Sequence, residues 1–269
     1  MAAVQSWDFA APAEAVDAAF WRSGCPPDLR SRRGLIAALA LKLPDIVSEL
    51  RLPASVLDLY PRSFDTLVSS LQSDVSDYDP DFYAKDLRFV LGLSVPAGAQ
   101  IVDLHARLGP KLILRQLHRP EGLRVLRSYV AAGGHGCWLQ IHTDTRDTAD
   151  FNEEGWDACY LRVADLLRCH PAAVGMLGTS WFYDPALVAI SPRLAYLQKP
   201  VDEGAFRARI GPSALDAERA GTKSSTRKAL IESGEYVPAA FSLAWPRAAL
   251  IRWADRQGAA AAPLAMAAG

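Results

Sequence analysis

Over the first 85 residues, apolar positions recur at helical intervals and are cut repeatedly by proline. Residues 31–42 read as one helix, Pro44 suits the first turn of a second running through Ile46, Leu50 and Arg51, and Pro53 and Pro61 bound a third short piece. Residues 73–81 (SDVSDYDPD) are acidic and rich in turn formers, which predicts a linker or exposed loop. From Leu87 the pattern changes to short apolar runs alternating with longer amphipathic ones, the signature of an α/β chain. Residues 88–95 read as a strand, 96–98 as a turn and 100–104 as a second strand that closes a hairpin. Residues 112–117 have no decisive period. Residues 123–132 have helical spacing and stop at Gly133-Gly134, where the missing Cβ permits a left-handed cap, and 137–143 read as a strand.

Asp150 followed by Glu153 fits a capping box and predicts the start of the next helix. Trp156, Tyr160, Val163 and Leu167 would be its buried stripe, with Arg162 and Arg168 outward or near its C-terminal dipole. Beyond it, 174–179 reads as a buried strand, 186–197 as an irregular helix broken at Ser191-Pro192, and 206–210 as a short strand. Residues 217–227 read as a polar loop, 225–232 as a helix ending at Gly234, and 239–245 as the last strand, with Pro246 opening a closing helix through Trp253. The predicted fold is therefore α/β, a mixed sheet flanked by helices. Its expected parts are a helical N-terminal region (1–85) packed on the main domain, an α/β domain (86–258) and a disordered tail (259–269).

Composition narrows the class without changing this outline. Hydrophobic residues make up 50% and charged residues 22% of 269, which excludes a mainly disordered or fibrous chain. With 29 Lys and Arg against 30 Asp and Glu, no global field draws the protein to nucleic acid or a membrane, and neither is an expected partner. The most apolar stretch, 34–43, falls far short of the roughly 20 residues that span a bilayer and reads as a buried helix. Cys25, Cys137, Cys159 and Cys169 form no CxxC pair and read as reduced thiols. The first 20 residues carry Asp8, Glu14 and Asp17 and have no basic leader pattern, so a cytoplasmic location is expected.

Specific motifs are absent. There is no P-loop, no GxGxxG, no HExxH, no EF-hand loop and no paired CxxC. Gly133-Gly134-His135-Gly136 precedes a strand rather than following one, the wrong order for a dinucleotide turn. Gly178-Thr179-Ser180-Trp181-Phe182 places an aromatic where a nucleophile elbow needs glycine. These absences leave any cofactor unknown, and no acyl-CoA pyrophosphate loop is evident.

The candidate chemistry lies in 138–184. Ligands of α/β sheets usually sit beyond the carboxyl ends of parallel strands, and two predicted strands end in reactive residues. One runs into His142, Asp144, Arg146 and Asp147. His142 has an imidazole suited to proton transfer near neutrality, Asp144 would share its face, and Arg146 would bind an anion. The plain alternative is that Asp144 and Asp147 form turns and Arg146 is a solvated partner. The other strand runs into Ser180, Trp181, Phe182, Tyr183 and Asp184. Trp181 and Tyr183 would supply flat walls, Arg193 would reach them, and Ser180 and Asp184 would orient polar groups or join His142 in a nucleophilic set. The alternative there is simple core closure.

His135, His142 and Asp144, completed by His170 or Glu154, offer a metal set by residue type. His105, His118, Arg107, Lys111, Arg115 and Arg119 form a basic cluster that reads as a solvated face. Arg207 and Arg209 are similarly ambiguous, and Trp245-Pro246-Arg247 would join the same rim if its strand were parallel. The expected function is a cytoplasmic enzyme acting on a small polar or anionic metabolite, with acyl or other group transfer and general acid–base catalysis. The competing expectations are a noncatalytic small-ligand-binding or assembly protein and a metal-dependent enzyme using the His/Asp site.

Overall fold

The computed structural model describes residues 9–72, 79–146 and 148–267. Six helices come first: α1 (Ala11–Arg22), α2 (Leu29–Ala40), α3 (Leu43–Glu49), α4 (Ala54–Leu57), α5 (Tyr60–Gln72) and α6 (Pro80–Val90). Asp28 caps α2 by accepting the Ser31 N–H at 2.7 Å, and Asp79 caps α6 by accepting from the Asp81 N–H at 2.8 Å. Most of the predicted linker, 73–78, lies outside the described residues, but its end begins α6, with Pro80 in the first turn. This cap corrects the strand expected over 88–95. Once Asp79 and Pro80 start a helix, Phe82 to Val90 complete it, and strand geometry waits until Ser94.

The remainder of the described chain runs β1 (Ser94–Pro96), β2 (Ile101–Ala106), α7 (Pro110–Leu114), α8 (Gly122–Ala131), β3 (Cys137–His142), α9 (Glu153–Cys169) and β4 (Ala173–Ser180). After a 3-10 turn at Trp181–Tyr183 come α10 (Leu187–Ile190), a 3-10 stretch at Pro192–Gln198, α11 (Lys199–Asp202), β5 (Phe206–Pro212), α12 (Ala214–Thr222), α13 (Ser225–Glu232), β6 (Ala239–Pro246) and α14 (Arg247–Ala267). The protein is an α/β fold, one mixed sheet in the order β1-β2-β3-β4-β6-β5. Only the β3–β4 pair is parallel, joined by α9, while its neighbours are antiparallel. Three sequence readings change. Residues 217–222 are helical because Ser213 caps α12. The start of α9 is capped by Asn152, not Asp150: the Asn152 side chain accepts from Gly155 N–H at 2.8 Å, while Asp150 pairs with Arg62. The expected tail is helical to Ala267, in keeping with the helix preference of its alanine run.

Alternation sorts the core into layers. Val102, Leu104, Leu139, Ile141, Met176, Leu243 and Trp245 pack against α9 and α14. On the other face Ala106, Trp138, Leu177, Phe206, Ala208 and Ala244 meet α7 and α8. A third cluster joins α2, α5 and α6 through Ile36, Leu67, Tyr83 and Leu87, and α6 carries it onto β1. No helix of the described residues is long and apolar enough to cross a membrane.

Candidate functional site

Because β3 and β4 are parallel with Ile141 opposite Gly178, their carboxyl ends lie side by side. β6 runs the other way, with Pro246 opposite Gly175, so Trp245-Pro246-Arg247 sits at the far end of the sheet. Arg247 there donates to the carbonyls of His170 and Ala173 at 3.1 and 3.3 Å and to that of Leu167, closing the end of α9.

At the end of β3, His142 is bound to a carboxylate that the sequence did not single out. Its Nε2 lies 2.8 Å from Asp103 Oδ2, and Asp103, on β2 and fully buried, accepts on Oδ1 from Arg88 Nε at 2.9 Å and from the Ser94 hydroxyl at 2.5 Å. Burial works against the Asp103 charge, yet His142, Arg88 and Ser94 together hold this carboxyl below its ordinary value of 3.8. Phe9 packs on the imidazole at 4.5 Å between ring centres, and Arg88 lies 5.1 Å from the centre of the Phe9 ring. The hydroxyl here bonds the carboxylate and not the imidazole, so Ser94, Asp103 and His142 do not have the order of a nucleophilic triad.

Just beyond, Asp144 and Arg146 form a second knot. Arg146 donates to Asp144 from Nε and Nη2 at 3.0 and 2.7 Å, to Asp86 from Nη1 and Nη2 at 2.9 and 2.8 Å, and to Ser70 at 3.2 Å, with Phe82 4.7 Å beneath its plane. Burial alone would lower the Arg146 pKa, but the two carboxylates push it well above its usual range. Burial likewise opposes the Asp144 charge, and Arg146 overrides it to hold that carboxyl below 3.8. The guanidinium fork is thus occupied on both edges by carboxylates. Asp147 lies outside the described residues.

A cleft of about 60 Å³ lies between α5–α6 and the β1–β2 hairpin, lined by Asp86, Asp144 and Arg146 of the second knot and by Ser94 of the first. Its polar lining includes Lys85, Asp86, Ser94, Gln100, Asp144 and Arg146. Lys85 bonds Asp81 at 2.5 Å, and Gln100 accepts from the Thr143 hydroxyl at 3.1 Å while donating to the Ala99 carbonyl at 2.6 Å. At roughly 10–15 Å³ per water, the cleft holds only about four to six waters as it stands.

The β4 end is built differently. Stepping the register on by one places Thr179 beside His142, so alternation turns Ser180 to the opposite face. The Ser180 hydroxyl accepts from Phe182 N–H at 3.2 Å as a cap. Asp184 is buried and accepts from the N–H groups of Ala186 and Ala239 at 3.0 and 3.1 Å, tying the turn to β6. Tyr183 fills the space under Gly178, where an added Cβ would lie 2.4 Å from its hydroxyl, and burial raises the Tyr183 pKa far above its usual value. Trp181 is buried beneath Arg227, whose guanidinium carbon lies 5.2 Å from the ring centre. Arg193, assigned to that place by sequence, is exposed, and Arg207 instead binds the Tyr183 carbonyl and Gln198.

His142, Asp144 and Arg146 therefore share a neighbourhood, whereas Ser180, Trp181, Tyr183 and Asp184 close a turn on the other side of the sheet. Among the described residues no three His, Cys, Asp or Glu side chains are placed to hold a metal ion. Sequence reading missed Lys85, Asp86, Arg88, Ser94, Gln100 and Asp103. A signal was present for two of them: Asp103 interrupts the apolar run IVDLHA and Arg88 the run LRFVL, both at positions a core would give to an aliphatic residue.

No protein-family model matches the chain, and no curated protein matches it. Among solved structures it is similar to an acyltransferase crystallised in complex with decanoyl-CoA, at a TM-score of 0.44 and 15% identity. The alignment covers 72% of this chain and 62% of that one, so the chain spans under two thirds of that structure's length.

Proposed function

We propose that this protein is a cytoplasmic enzyme that binds a small polar metabolite in the cleft between α5–α6 and the β1–β2 hairpin and acts on it by general acid–base chemistry, in a group transfer such as acyl transfer. The observation that carries this reading is the concentration of buried charge. Of the twelve buried polar or charged residues among those described, four (Lys85, Asp86, Ser94 and Gln100) line this one cleft, and two more, Asp103 and Arg88, are tied to it through the Ser94 hydroxyl. Apolar side chains of similar volume would cost less to bury, so such a concentration is more typical of a working site than of a scaffold. Within this reading Ser94 and Gln100, which line the cleft, recognise the ligand, and His142, outside the lining, exchanges protons with it by way of Asp103 and the Ser94 hydroxyl. Asp144 and Arg146 hold the segment after β3 against α6. The charged lining is balanced, Lys85 and Arg146 against Asp86 and Asp144, which suits a neutral or zwitterionic ligand better than the anion expected of a free Arg146. Ligand pockets commonly run to roughly 300 Å³ or more, so α5 and α6 would shift outward on binding. Four free thiols accord with a reducing compartment.

The Phe9 ring against His142 favours a second reading, a binding or assembly protein in which the His142–Asp103–Arg88 network fastens the N-terminal helices to the sheet. Both readings are tested by incubating the full chain with fractionated metabolite extract and identifying retained molecules by native mass spectrometry. Gln100→Ala and Lys85→Met should each weaken retention about tenfold, the loss of one good hydrogen bond or charge contact. His142→Gln should keep the ligand and lower turnover by about 10²-fold or more. Retention without any turnover supports the binding reading, turnover indifferent to His142→Gln contradicts the assigned proton transfer, and retention unaffected by both cleft variants contradicts ligand binding in this cleft.

A further inference from the structure

The net charge of −1 conceals a strongly uneven distribution. Between residues 104 and 143 there are six Lys and Arg and a single acid, Glu121, a local excess of five positive charges. This segment contains the α7–α8 hairpin, which buries Leu112, Ile113, Val125 and Tyr129 against the sheet. Its outward face is a mixture of cations and large aliphatics. Lys111, Arg115, Arg124 and Arg127 are exposed and make no ion pair among the described residues. Leu114, Leu117, Leu123 and Val130 are exposed by 56, 42, 67 and 65%. On α8, Leu123, Arg127 and Val130 follow helical spacing along one stripe, so charge and apolar bulk share a surface rather than dividing between two.

We infer that the outward face of α7–α8 docks the protein on an anionic lipid surface. Interleaved cations and aliphatic side chains match the boundary of such a bilayer, where phosphates and carboxylates meet acyl chains. Arginine stems reach up to the headgroups while leucines enter below them. Nucleic acid would satisfy the cations but leave the leucines without apolar partners, and no exposed Phe, Tyr or Trp lies on this face for bases to stack on, the one exposed ring of the connection being His118. An outward helix face offers a folded protein little recess to fill, whereas a bilayer requires none. Binding would be peripheral, through a surface separate from the cleft.

The test is co-sedimentation of the full chain with phosphatidylcholine vesicles containing about 30% phosphatidylserine, against phosphatidylcholine alone, at ~0.1 M and ~0.5 M salt. Binding is expected to the anionic vesicles at low salt and to fall steeply at high salt. Arg124→Gln with Arg127→Gln should weaken it roughly 25-fold, about fivefold per charge. Leu117→Ser with Leu123→Ser should weaken it about tenfold or more, while Leu215→Ser on α12 leaves it unchanged. Circular dichroism and thermal melts establish that each variant is folded. Absence of binding, equal binding to neutral vesicles, or indifference to either pair overturns the proposal. So does stronger binding to a DNA duplex that depends on the arginine pair but not on the leucine pair, which would make this a nucleic-acid surface.

Discussion

Where β3 ends, the chain enters a web of charge shared with α6, and where the adjacent β4 ends it enters a packed aromatic turn. His142, Asp144 and Arg146 engage Asp103, Asp86 and Arg88 around a cleft, whereas Ser180 and Asp184 spend their oxygens on backbone N–H groups and Trp181 and Tyr183 pack into the core. Both strands approach the same end of the sheet, so the difference comes from what covers them. The N-terminal helices bring their own charged residues to β3. The β4 end is closed by its own chain, with Gln198 donating to the Phe182 carbonyl at 2.7 Å and β6 supplying the Ala239 N–H. In the proposed function the candidate site is therefore the strand end that a second layer covers with charged groups, not the one whose polar groups cap its own turn.

Removing one member from either end should be costly, and the largest effects discriminate least. Asp103→Ala removes the buried carboxylate shared by Arg88, Ser94 and His142 and should cost about 3–5 kcal/mol in a urea titration. Trp181→Ala empties the space beneath Arg227 and should cost a similar ~3–5 kcal/mol, while leaving ligand affinity of the folded fraction unchanged. A Trp181→Ala protein that is stable but unable to bind would move the site to the β4 end. Asp184→Ala strands two N–H groups and should cost about 1–3 kcal/mol, again without a specific effect on turnover.

Acid should separate the regions further. The Asp103 and Asp144 carboxyls are held below their ordinary 3.8, so the unfolded chain binds protons first. The stability they add is complete above that value and drains as pH falls toward their folded values. Urea midpoints measured from pH 5 down to pH 2 should therefore decline, and Asp144→Asn should flatten the decline. An unchanged slope in that variant would contradict the assigned ionic knot. The smallest effect belongs to Ser180→Ala, which removes a cap worth about 1 kcal/mol and should leave turnover intact, whereas a nucleophile would lose nearly all of it.

Much of this architecture was legible in the sequence because apolar spacing reports burial directly. The stripe Trp156, Tyr160, Val163 and Leu167 is buried as expected, and Gly133 and Gly134 take φ of 96° and 59° at the end of α8. The misreadings arose where capping outranked composition: Asp79–Pro80 turned an apparent strand into α6, and Ser213 turned a polar run into α12. For the candidate site, sequence pointed to the end of β3 but not to the residues that meet it there. Asp86 is 60 residues from Arg146 along the chain and Arg88 is 15 from Asp103, and both meetings depend on how α6 lies across the sheet, which local pattern does not encode. Trp181 and Tyr183 misled for the converse reason, since an aromatic cluster has the same composition whether it lines a pocket or fills a core.

The account turns on which strand end carries the ligand. The most direct measurement compares retention of an identified metabolite by Gln100→Ala and Ser180→Ala in equilibrium dialysis, with both proteins folded. The account predicts about tenfold weaker binding in Gln100→Ala and wild-type binding in Ser180→Ala. Wild-type affinity in Gln100→Ala together with lost affinity in Ser180→Ala would contradict it.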